Sequence, residues 1–206
     1  MKSVASYYPI MLQLTGKKVV VVGGGKVAER KVTGLLGTNA AIKVISPKVT
    51  AELKRLVQDG KIQWLEKSFS KEDIVDAFMV FAATNDPCTN QLVKESADVH
   101  QLITIADDPE GSDFHVPANV QRGRLSIAIS TGGASPSLAR KISEHLAKEF
   151  DEKYEDYLEF LYWARKKILN EVTDPSFKKQ LLTSIVSTEF LNSKNRKADF
   201  LKIYNQ

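Results

Sequence analysis

The chain has 206 residues, of which 43% are hydrophobic and 26% are charged, and its formal net charge is +4. This length accommodates one α/β domain and a smaller appendage, and the composition is that of an ordinary globular protein. No apolar run reaches the roughly 20 residues of a membrane span, and the N-terminus lacks the apolar core and cleavage pattern of a signal peptide. The single cysteine, Cys88, excludes an internal disulfide, so we expect a cytoplasmic protein without a membrane partner.

The basic excess is compatible with two kinds of partner. Nucleic acid is one of them, but no basic run is interleaved with aromatic residues, so we expect no nucleic-acid partner. A polyanionic small molecule suits scattered lysines and arginines equally well.

Short apolar runs alternate with helical stretches over the first hundred residues. Strands are predicted at 17–22, 41–45, 61–65, 78–83 and 102–106. Helical stretches are predicted at 28–37, 50–58, from about 70, and at 86–99. Continuous runs such as KKVVVV are typical of strands that are buried on both faces. Strands that alternate with helices predict βαβ units, a parallel sheet and right-handed crossovers.

The pattern changes after the fifth predicted strand. Residues 106–123 are polar and rich in turn formers, and residues 124–130 alternate like a strand. Ser135 and Pro136 are typical of a helix start, with serine as the N-cap and proline in the first turn. The remainder contains only helical stripes, at 154–168, at 175–185 after Asp174, and near 194–203.

A glycine cluster lies between the first predicted strand and the first predicted helix. Residues 23–28, GGGKVA, fit the pattern G-x-G-x-x-A, with Gly23 at the tight turn and Gly25 where the backbone approaches a pyrophosphate. We expect the N–H groups of Gly25, Lys26 and Val27 to point at the phosphates, aided by the helix dipole. The alternative is a glycine-rich turn that only packs the strand on the helix.

The ends of two other strands complete this candidate cofactor site. Dinucleotide sites commonly have Asp or Glu after the second strand, but here Ser46, Pro47 and Lys48 follow it. A serine hydroxyl and backbone N–H groups can bind a ribose. The lysine either attracts a 2′-phosphate, so that NADP stays open, or is a solvated surface residue. Thr84 follows the fourth strand, and we assign it to the cofactor as well.

Two further segments carry polar groups suited to chemistry. Asp107 and Asp108 follow the fifth strand, on the same rim of a parallel sheet as the cofactor. If strand alternation continues, Asp107 faces the crevice and Asp108 points elsewhere, so the two should be unequal. Residues 130–136, STGGASP, put hydroxyls and flexible backbone before a helix, which favours anion binding. A turn or cap role is the alternative for both segments.

Together these motifs resemble the precorrin-2 dehydrogenase/sirohydrochlorin ferrochelatase family, which includes the amino-terminal module of bifunctional siroheme synthases. The resemblance rests on the strings VVVVGGGKVAERKV, FAATND, ADDP, FHVPA and ISTGGASPSLARKI, in this order. It covers residues 8–150, and the tail from 151 is similar in type without a motif of its own.

The resemblance implies a fold, an assembly and a cofactor. The expected fold class is α/β, with an NAD-binding Rossmann domain at 1–113, a small α+β central dimerisation domain at 114–150 and a helical C-terminal domain at 151–206. The expected assembly is a homodimer with interlocked protomers, in which the strand at 124–130 finds a partner, since an isolated strand is unstable. NAD is the implied cofactor.

The resemblance also implies an activity, the NAD-dependent oxidation of precorrin-2 to sirohydrochlorin in siroheme biosynthesis. The family's catalytic aspartate falls on Asp107, where a carboxylate can accept the proton that the oxidation releases. The substrate-side loop falls on Thr131, Gly132 and Ser135, and Thr131 takes the place of a hydroxyl residue that is a phosphorylatable serine in some members.

The implied substrate is a tetrapyrrole with eight carboxylates, which gives the basic excess a purpose. The arginines that are candidates to pair with these carboxylates are Arg122, Arg124 and Arg140. For each of them the alternative is a role in surface solubility alone.

Two other functions stay open. The first is a bifunctional enzyme that also inserts Fe²⁺ into sirohydrochlorin, a step that needs few dedicated residues. The second is an NAD-sensing regulatory module, which shares the glycine loop but does not need the ADDP and STGGASP segments. The histidines His100, His115 and His145 have no metal-ligand spacing, so we expect no metal site.

Overall fold

The computed structural model describes residues 7–205 and divides the chain into two compact units. The first unit is Tyr8–Val116, and the second comprises Tyr7 and the described chain from Pro117 onward. None of the described helices is both long enough and apolar enough to cross a membrane.

The first unit is a five-stranded parallel sheet covered by helices. Its strands are β1 (Lys18–Val22), β2 (Ala41–Ile45), β3 (Gln63–Leu65), β4 (Met79–Ala82) and β5 (Leu102–Ile105). Its helices are α1 (Lys26–Leu35), α2 (Ala51–Gln58) and α3 (Pro87–Ser96), with a short 3₁₀ helix at Lys71–Asp73. The strand order β3-β2-β1-β4-β5, with every neighbouring pair parallel, confirms the predicted Rossmann-type α/β fold.

The valine run of β1 accounts for the central place of this strand. Val19 and Val21 belong to the hydrophobic cluster that contains α1 and α2, whereas Val20 and Val22 belong to the cluster on the other side, with α3. Side chains alternate between the two faces of a strand, so four consecutive valines require burial on both faces.

The strand order reverses at β1, which pairs with β2 on one side and with β4 on the other. Loops that leave the carboxyl ends of these strands diverge, and ligands of open α/β sheets bind in the resulting crevice. The glycine loop after β1 and the polar residues after β2, β4 and β5 therefore share one edge of the sheet.

The second unit begins with a β-hairpin. β6 (Ala118–Arg122) pairs with β7 (Leu125–Ile129), and α4 (Pro136–Glu149) contacts both strands. β7 confirms the strand predicted at 124–130. No strand was predicted where β6 lies, and this prediction was wrong. Only Val120 is fully buried in β6, so the apolar signal in the sequence is weak. Gly123, with φ +51°, provides the left-handed residue of the tight turn between the strands.

Four helices complete the second unit and confirm the predicted helical C-terminal region. They are α5 (Lys153–Glu171), α6 (Pro175–Ser184), α7 (Thr188–Asn192) and α8 (Arg196–Tyr204). α7 was not predicted, since five residues are too few to show a helical period. Aromatic residues dominate the core of these helices, and the rings of Phe160 and Phe190 stack with their centroids 5.5 Å apart.

Two helix starts follow the capping pattern that the sequence predicts. The Ser135 hydroxyl accepts a hydrogen bond from the N–H of Leu138 at 3.2 Å, at the start of α4. The Asp174 carboxylate accepts one from the N–H of Phe177 at 2.6 Å, at the start of α6. In both helices proline occupies the first turn, where its missing N–H costs nothing.

Candidate active site

A cleft of about 650 Å³ lies at the carboxyl edge of the sheet in the first unit. The loops after β1, β2 and β4 form it, together with Ser68 and Phe69 beyond β3. Six of the eight predicted cofactor residues line this cleft: Gly23, Gly25, Ser46, Pro47, Lys48 and Thr84. The other two, Lys26 and Val27, begin α1 directly after Gly25. The structure thus brings the eight predicted cofactor residues together around one cleft.

Each glycine of the loop has a different environment. A Cβ on Gly23, where φ is +125°, would overlap the backbone carbonyl of Ala83, and a Cβ on Gly24 would overlap that of Lys48. A Cβ on Gly25 would meet no atom within 4 Å. The first two glycines therefore let the loop pack against the neighbouring strand ends, and the third leaves open space. Gly24 was not predicted as a site residue, and its only signal in the sequence is the unbroken run of three glycines.

The start of α1 has the properties of an anion site. Gly25 is its N-cap and has no side chain to cap the helix, and an α-helix leaves its first N–H groups without intrahelical acceptors. Ala28 is fully buried, as the close helix–strand packing of this motif requires. These N–H groups, the helix dipole and the open space at Gly25 fit the pyrophosphate of NAD.

A charged pair lies in the first turn of α1. The ammonium of Lys26 is 2.9 Å from a carboxylate oxygen of Glu29. Hydrogen bonds from the Thr50 hydroxyl and from Lys26 hold the pKa of Glu29 below its usual range. Because Lys26 offsets the charge of Glu29, the glutamate does not oppose an anion at the helix start. The backbone N–H of Lys26 is its predicted phosphate contact, and the ammonium, whose ion pair is exposed and therefore weak, is available to a phosphate as well.

The loop after β2 is held by hydrogen bonds to Ser46. The Ser46 hydroxyl donates to the carbonyl oxygen of Lys48 at 2.8 Å, and the Ser46 carbonyl accepts from the indole N–H of Trp64 at 2.9 Å. Since its one hydrogen is engaged, the hydroxyl can offer a ribose only its oxygen as an acceptor. A neutral acceptor does not repel a 2′-phosphate as a carboxylate would, so this loop does not by itself enforce NAD over NADP.

The residues after β4 are tied to the first turn of α3. The Asp86 carboxylate caps this helix, accepting hydrogen bonds from the N–H groups of Cys88 and Thr89. The Thr89 hydroxyl and these N–H groups hold the pKa of Asp86 low. The backbone N–H of Thr84 donates to Oδ1 of Asn90 at 3.1 Å, and the Thr84 hydroxyl lies 2.8 Å from the same oxygen. The cofactor contact predicted for Thr84 would therefore add to a hydroxyl that already has partners inside the protein.

Asp107 is exposed and lies two residues beyond β5. Nδ2 of Asn90 donates to Oδ1 of Asp107 at 2.8 Å. Asn90 therefore joins Asp107 to Thr84, which lines the cleft. Asn90 was not predicted as a site residue, because an asparagine four residues after a helix cap belongs to no motif.

The alternation expected for the two aspartates was wrong. β5 ends before either of them. Asp107 lies in a turn, and Asp108 follows this turn in an isolated antiparallel bridge to Ile105, with its carboxylate 2.8 Å from the ammonium of Lys94. Lys94 and Asn90 are one turn apart on α3, so both aspartates contact the same helix. They differ for another reason. Lys94 lowers the pKa of Asp108 by pairing with it, whereas the partner of Asp107 is a neutral amide.

The predicted substrate loop lies in the second unit, between β7 and α4. The carbonyl and hydroxyl oxygens of Thr131 accept hydrogen bonds from the N–H groups of Ala134 and Ser135. Gly132 has φ +59°, and a Cβ there would meet no atom within 4 Å. The loop is therefore shaped by its own hydrogen bonds, with Thr131, Gly132 and Ser135 together at the start of a helix.

The three predicted substrate arginines have different partners within the second unit. Arg122 donates to the carbonyl oxygen of Ala147 at 3.1 Å, and its buried Nε has no hydrogen-bond partner in the described part of the chain. Arg124 donates to the carboxylate of Glu159 at 2.8 Å. Arg140 pairs with a glutamate one turn along α4, and its side chain is 81% exposed. Arg140 is thus the most accessible of the three.

Family models match three successive parts of the chain. Residues 10–118 match a model described as NAD(P)-binding, residues 122–149 match the central domain of sirohaem biosynthesis proteins, and residues 154–200 match the SirC C-terminal domain.

Curated relatives and a solved structure agree with these models. The chain is 38% identical to the precorrin-2 dehydrogenase of Priestia megaterium over 95% of its own length and 96% of the relative's. It is 33% identical to that of Bacillus subtilis (strain 168) over 77% of its own length and 98% of the relative's. The siroheme synthase of Actinobacillus pleuropneumoniae serotype 3 is 39% identical, over 68% of this chain but only 29% of the synthase.

The solved structure is that of SirC, precorrin-2 dehydrogenase. It superposes with a TM-score of 0.83 at 38% sequence identity and covers 97% of this chain and 100% of the other. Two relatives above 30% identity are thus matched over nearly their whole length, and the solved structure agrees in fold. This chain belongs to the precorrin-2 dehydrogenase family.

Proposed function

We propose that this chain oxidises precorrin-2 to sirohydrochlorin in siroheme biosynthesis, with NAD as its cofactor. One observation carries the proposal: a glycine-lined cleft lies where the strand order reverses, and the Asp107 carboxylate is joined to its rim through Asn90. Membership of the precorrin-2 dehydrogenase family supports the choice of substrate and reaction.

The oxidation removes two hydrogens from the macrocycle, one as a hydride and one as a proton. Bound NAD⁺ supplies the hydride acceptor, its nicotinamide ring. The proton requires a base, and we assign that role to Asp107 because it is an exposed carboxylate at the sheet edge that carries the cleft. A positioned base of this kind contributes roughly 10²–10⁴-fold to the rate.

The cofactor is held at three strand ends. We assign the pyrophosphate to the N–H groups of Gly25, Lys26 and Val27, supported by the open space at Gly25. The segment 46–48 takes the adenosine ribose, as the end of the second strand does in dinucleotide sites. Thr84 lines the same cleft and completes the set.

The substrate carboxylates are assigned to the second unit. Thr131, Gly132 and Ser135 lie at the start of α4, where N–H groups and the helix dipole favour an anion. Arg140 is available to a substrate carboxylate because its exposed ion pair within α4 is worth only about 0.5 kcal/mol. Arg124 has a similar exposed pair, whereas the unpaired Nε of Arg122 is buried, which makes Arg122 the least accessible of the three.

We further propose a homodimer that forms through the second unit. A two-stranded hairpin is marginal by itself, and among the described strands β6 and β7 pair only with each other, with α4 packed against them. Leu138 and Ile142 of α4 are 50% and 36% exposed, so apolar surface is available next to the hairpin. Burial of this surface against a second copy would stabilise both elements.

The division into domains at 1–113, 114–150 and 151–206 stays a proposal, and the three matched family ranges support it. We also keep the cytoplasm as the proposed location, in agreement with a chain that has one cysteine.

Metal insertion is the alternative that a separate assay decides. Within residues 7–205 no group of three or more His, Cys, Asp or Glu side chains is arranged to hold a metal ion. Incubation of the chain with sirohydrochlorin and Fe²⁺ or Co²⁺, without NAD, measures this activity directly. A purely NAD-sensing role is disfavoured by membership of a dehydrogenase family.

The proposed oxidation is tested with purified chain, precorrin-2 and NAD⁺ under anaerobic conditions. NADH should accumulate at a rate proportional to the enzyme concentration, and omission of NAD⁺ should stop sirohydrochlorin formation. A chain that binds NAD⁺ but never reduces it in the presence of precorrin-2 would contradict the proposed oxidation and favour the NAD-sensing role.

A further inference from the structure

We infer that Asn90 is a positioning residue that fixes the Asp107 carboxylate relative to the cofactor cleft, acting through Thr84. The inference rests on the proposed function, because it assumes that Asp107 is the base. It assigns a role to a side chain that no sequence motif contains.

Asn90 is a buried polar residue, 1% exposed, in the second turn of α3. All of its hydrogen-bonding groups have partners. Oδ1 accepts from the backbone N–H of Thr84 at 3.1 Å and lies 2.8 Å from the Thr84 hydroxyl. Nδ2 donates to the Thr84 carbonyl oxygen at 3.3 Å and to the Asp107 carboxylate at 2.8 Å.

The direction of the amide group follows from these partners. A backbone N–H can only donate, so the Asn90 atom that faces the Thr84 N–H must be the oxygen. The amino group is then left to face Asp107, which as a carboxylate can only accept. Because the Asn90 amide is buried and fully bonded, it holds this orientation. One end of a rigid group is thereby tied to a cleft-lining residue and the other to the carboxylate.

A neutral donor suits a residue that must accept a proton. An amide N–H orients a carboxylate without cancelling its charge, whereas an ammonium does cancel it. The neighbouring pair provides the contrast, since Lys94 forms an ion pair with Asp108 one turn further along α3. α3 thus presents a neutral partner to the aspartate that we assign to catalysis and a charged partner to the other.

Asn90→Asp separates this role from a role in folding. The substituted side chain keeps an oxygen acceptor for the Thr84 N–H but loses the donor to the Thr84 carbonyl oxygen, so the contact between α3 and the end of β4 is retained in part. It loses the donor to Asp107 and places a second carboxylate against it. Displacement of a catalytic group by about 1 Å can cost roughly a hundredfold in rate, so we expect kcat to fall by about that factor. The Kd for NAD⁺ should stay within about twofold of wild type.

The matched control is Lys94→Gln, which changes the next turn of the same helix face and the partner of Asp108. It should leave kcat within about twofold of wild type. A comparable loss of kcat in Lys94→Gln would overturn the inference, because it would show that any change on this face of α3 disturbs the site.

A double-mutant cycle with Asp107→Ala tests whether Asn90 acts through the carboxylate. In the Asp107→Ala background, Asn90→Asp should change kcat by less than about twofold, since its target is already gone. A loss of the same size in both backgrounds, or a loss of NAD⁺ affinity that parallels the loss of kcat, would assign Asn90 a structural or cofactor role and overturn the inference.

Nuclear magnetic resonance tests the contact even if the chain does not oxidise precorrin-2. The side-chain NH₂ resonances of Asn90 are identified by their disappearance in Asn90→Asp. They should shift in Asp107→Ala and stay in place in Lys94→Gln. If the Asn90 resonances do not shift in Asp107→Ala, the inference is overturned whatever the activity of the chain. An inactive wild-type chain would count against the proposed function alone.

Discussion

Gly25→Asp tests the cofactor site without disturbing the fold. Gly25 has φ −84° and ψ −170°, the extended conformation of an N-cap residue, and a Cβ there meets no atom within 4 Å. Aspartate is a favoured N-cap residue, so we expect the free energy of unfolding to stay within about 1 kcal/mol of wild type.

The same substitution should remove NAD⁺ affinity for two reasons. The new carboxylate caps N–H groups at the start of α1 that we assign to the pyrophosphate. It also places a negative charge beside that anion, and two like charges about 4 Å apart repel by about 4 kcal/mol in surroundings of effective dielectric constant near 20. That energy corresponds to roughly a thousandfold in Kd. Allowing for solvent screening, we expect the Kd to rise by roughly a hundredfold or more.

Isothermal titration calorimetry with NAD⁺, together with thermal melting, makes the measurement. The matched control is Gly34→Asp, which adds the same charge further along α1, also in open space. This control should bind NAD⁺ as wild type does. A Kd for Gly25→Asp within about threefold of wild type would refute the assignment of the pyrophosphate to this helix start.

Three other predictions concern the base, its neighbour and the assembly. Asp107→Asn should lower turnover by roughly a hundredfold or more with little effect on NAD⁺ affinity. Asp108→Asn should lower turnover much less. Near wild-type turnover in Asp107→Asn would show that the proton leaves by another route. Lys94 lowers the pKa of Asp108, so their pairing stabilises the fold above the ordinary aspartate pKa of about 3.9 and loses that contribution as the pH falls through the lower folded value. Lys94→Gln should therefore melt below wild type at neutral pH, and the gap should close in strong acid; a gap that does not depend on pH would contradict the pairing. Leu138→Asp should convert the proposed dimer to a monomer in light scattering at micromolar concentration, and a dimer that persists would exclude α4 from the interface.

Much of the fold could be predicted because its signals are local. The four valines of β1 demand burial on both faces, and the glycine run that follows places a turn and a helix start after them. Ser135 and Pro136 likewise predict the start of α4, because helix capping depends on residues that are adjacent in sequence. β6 could not be found in this way, since its surroundings are polar and its pairing depends on a later strand.

The candidate site could be predicted only in part, for a similar reason. Six residues that line the cleft belong to the glycine motif or follow a strand end, so their types and spacing revealed them, whereas Ser68 and Phe69 belong to no motif. Gly24 and Asn90 act through packing and hydrogen bonds between loops that only folding brings together. The alternation expected for Asp107 and Asp108 did not hold, because β5 ends before them and a turn sets their directions.

The stoichiometry of the reaction shows whether this chain couples the oxidation of precorrin-2 to the reduction of NAD⁺. Purified chain is incubated anaerobically with a limiting amount of precorrin-2 and excess NAD⁺, and both products are followed by absorbance until the reaction ends. We expect one NADH for each sirohydrochlorin formed, and neither product at an enzyme-dependent rate with Gly25→Asp. Sirohydrochlorin that forms at an enzyme-dependent rate without matching NADH, or precorrin-2 that stays unchanged, would contradict this expectation.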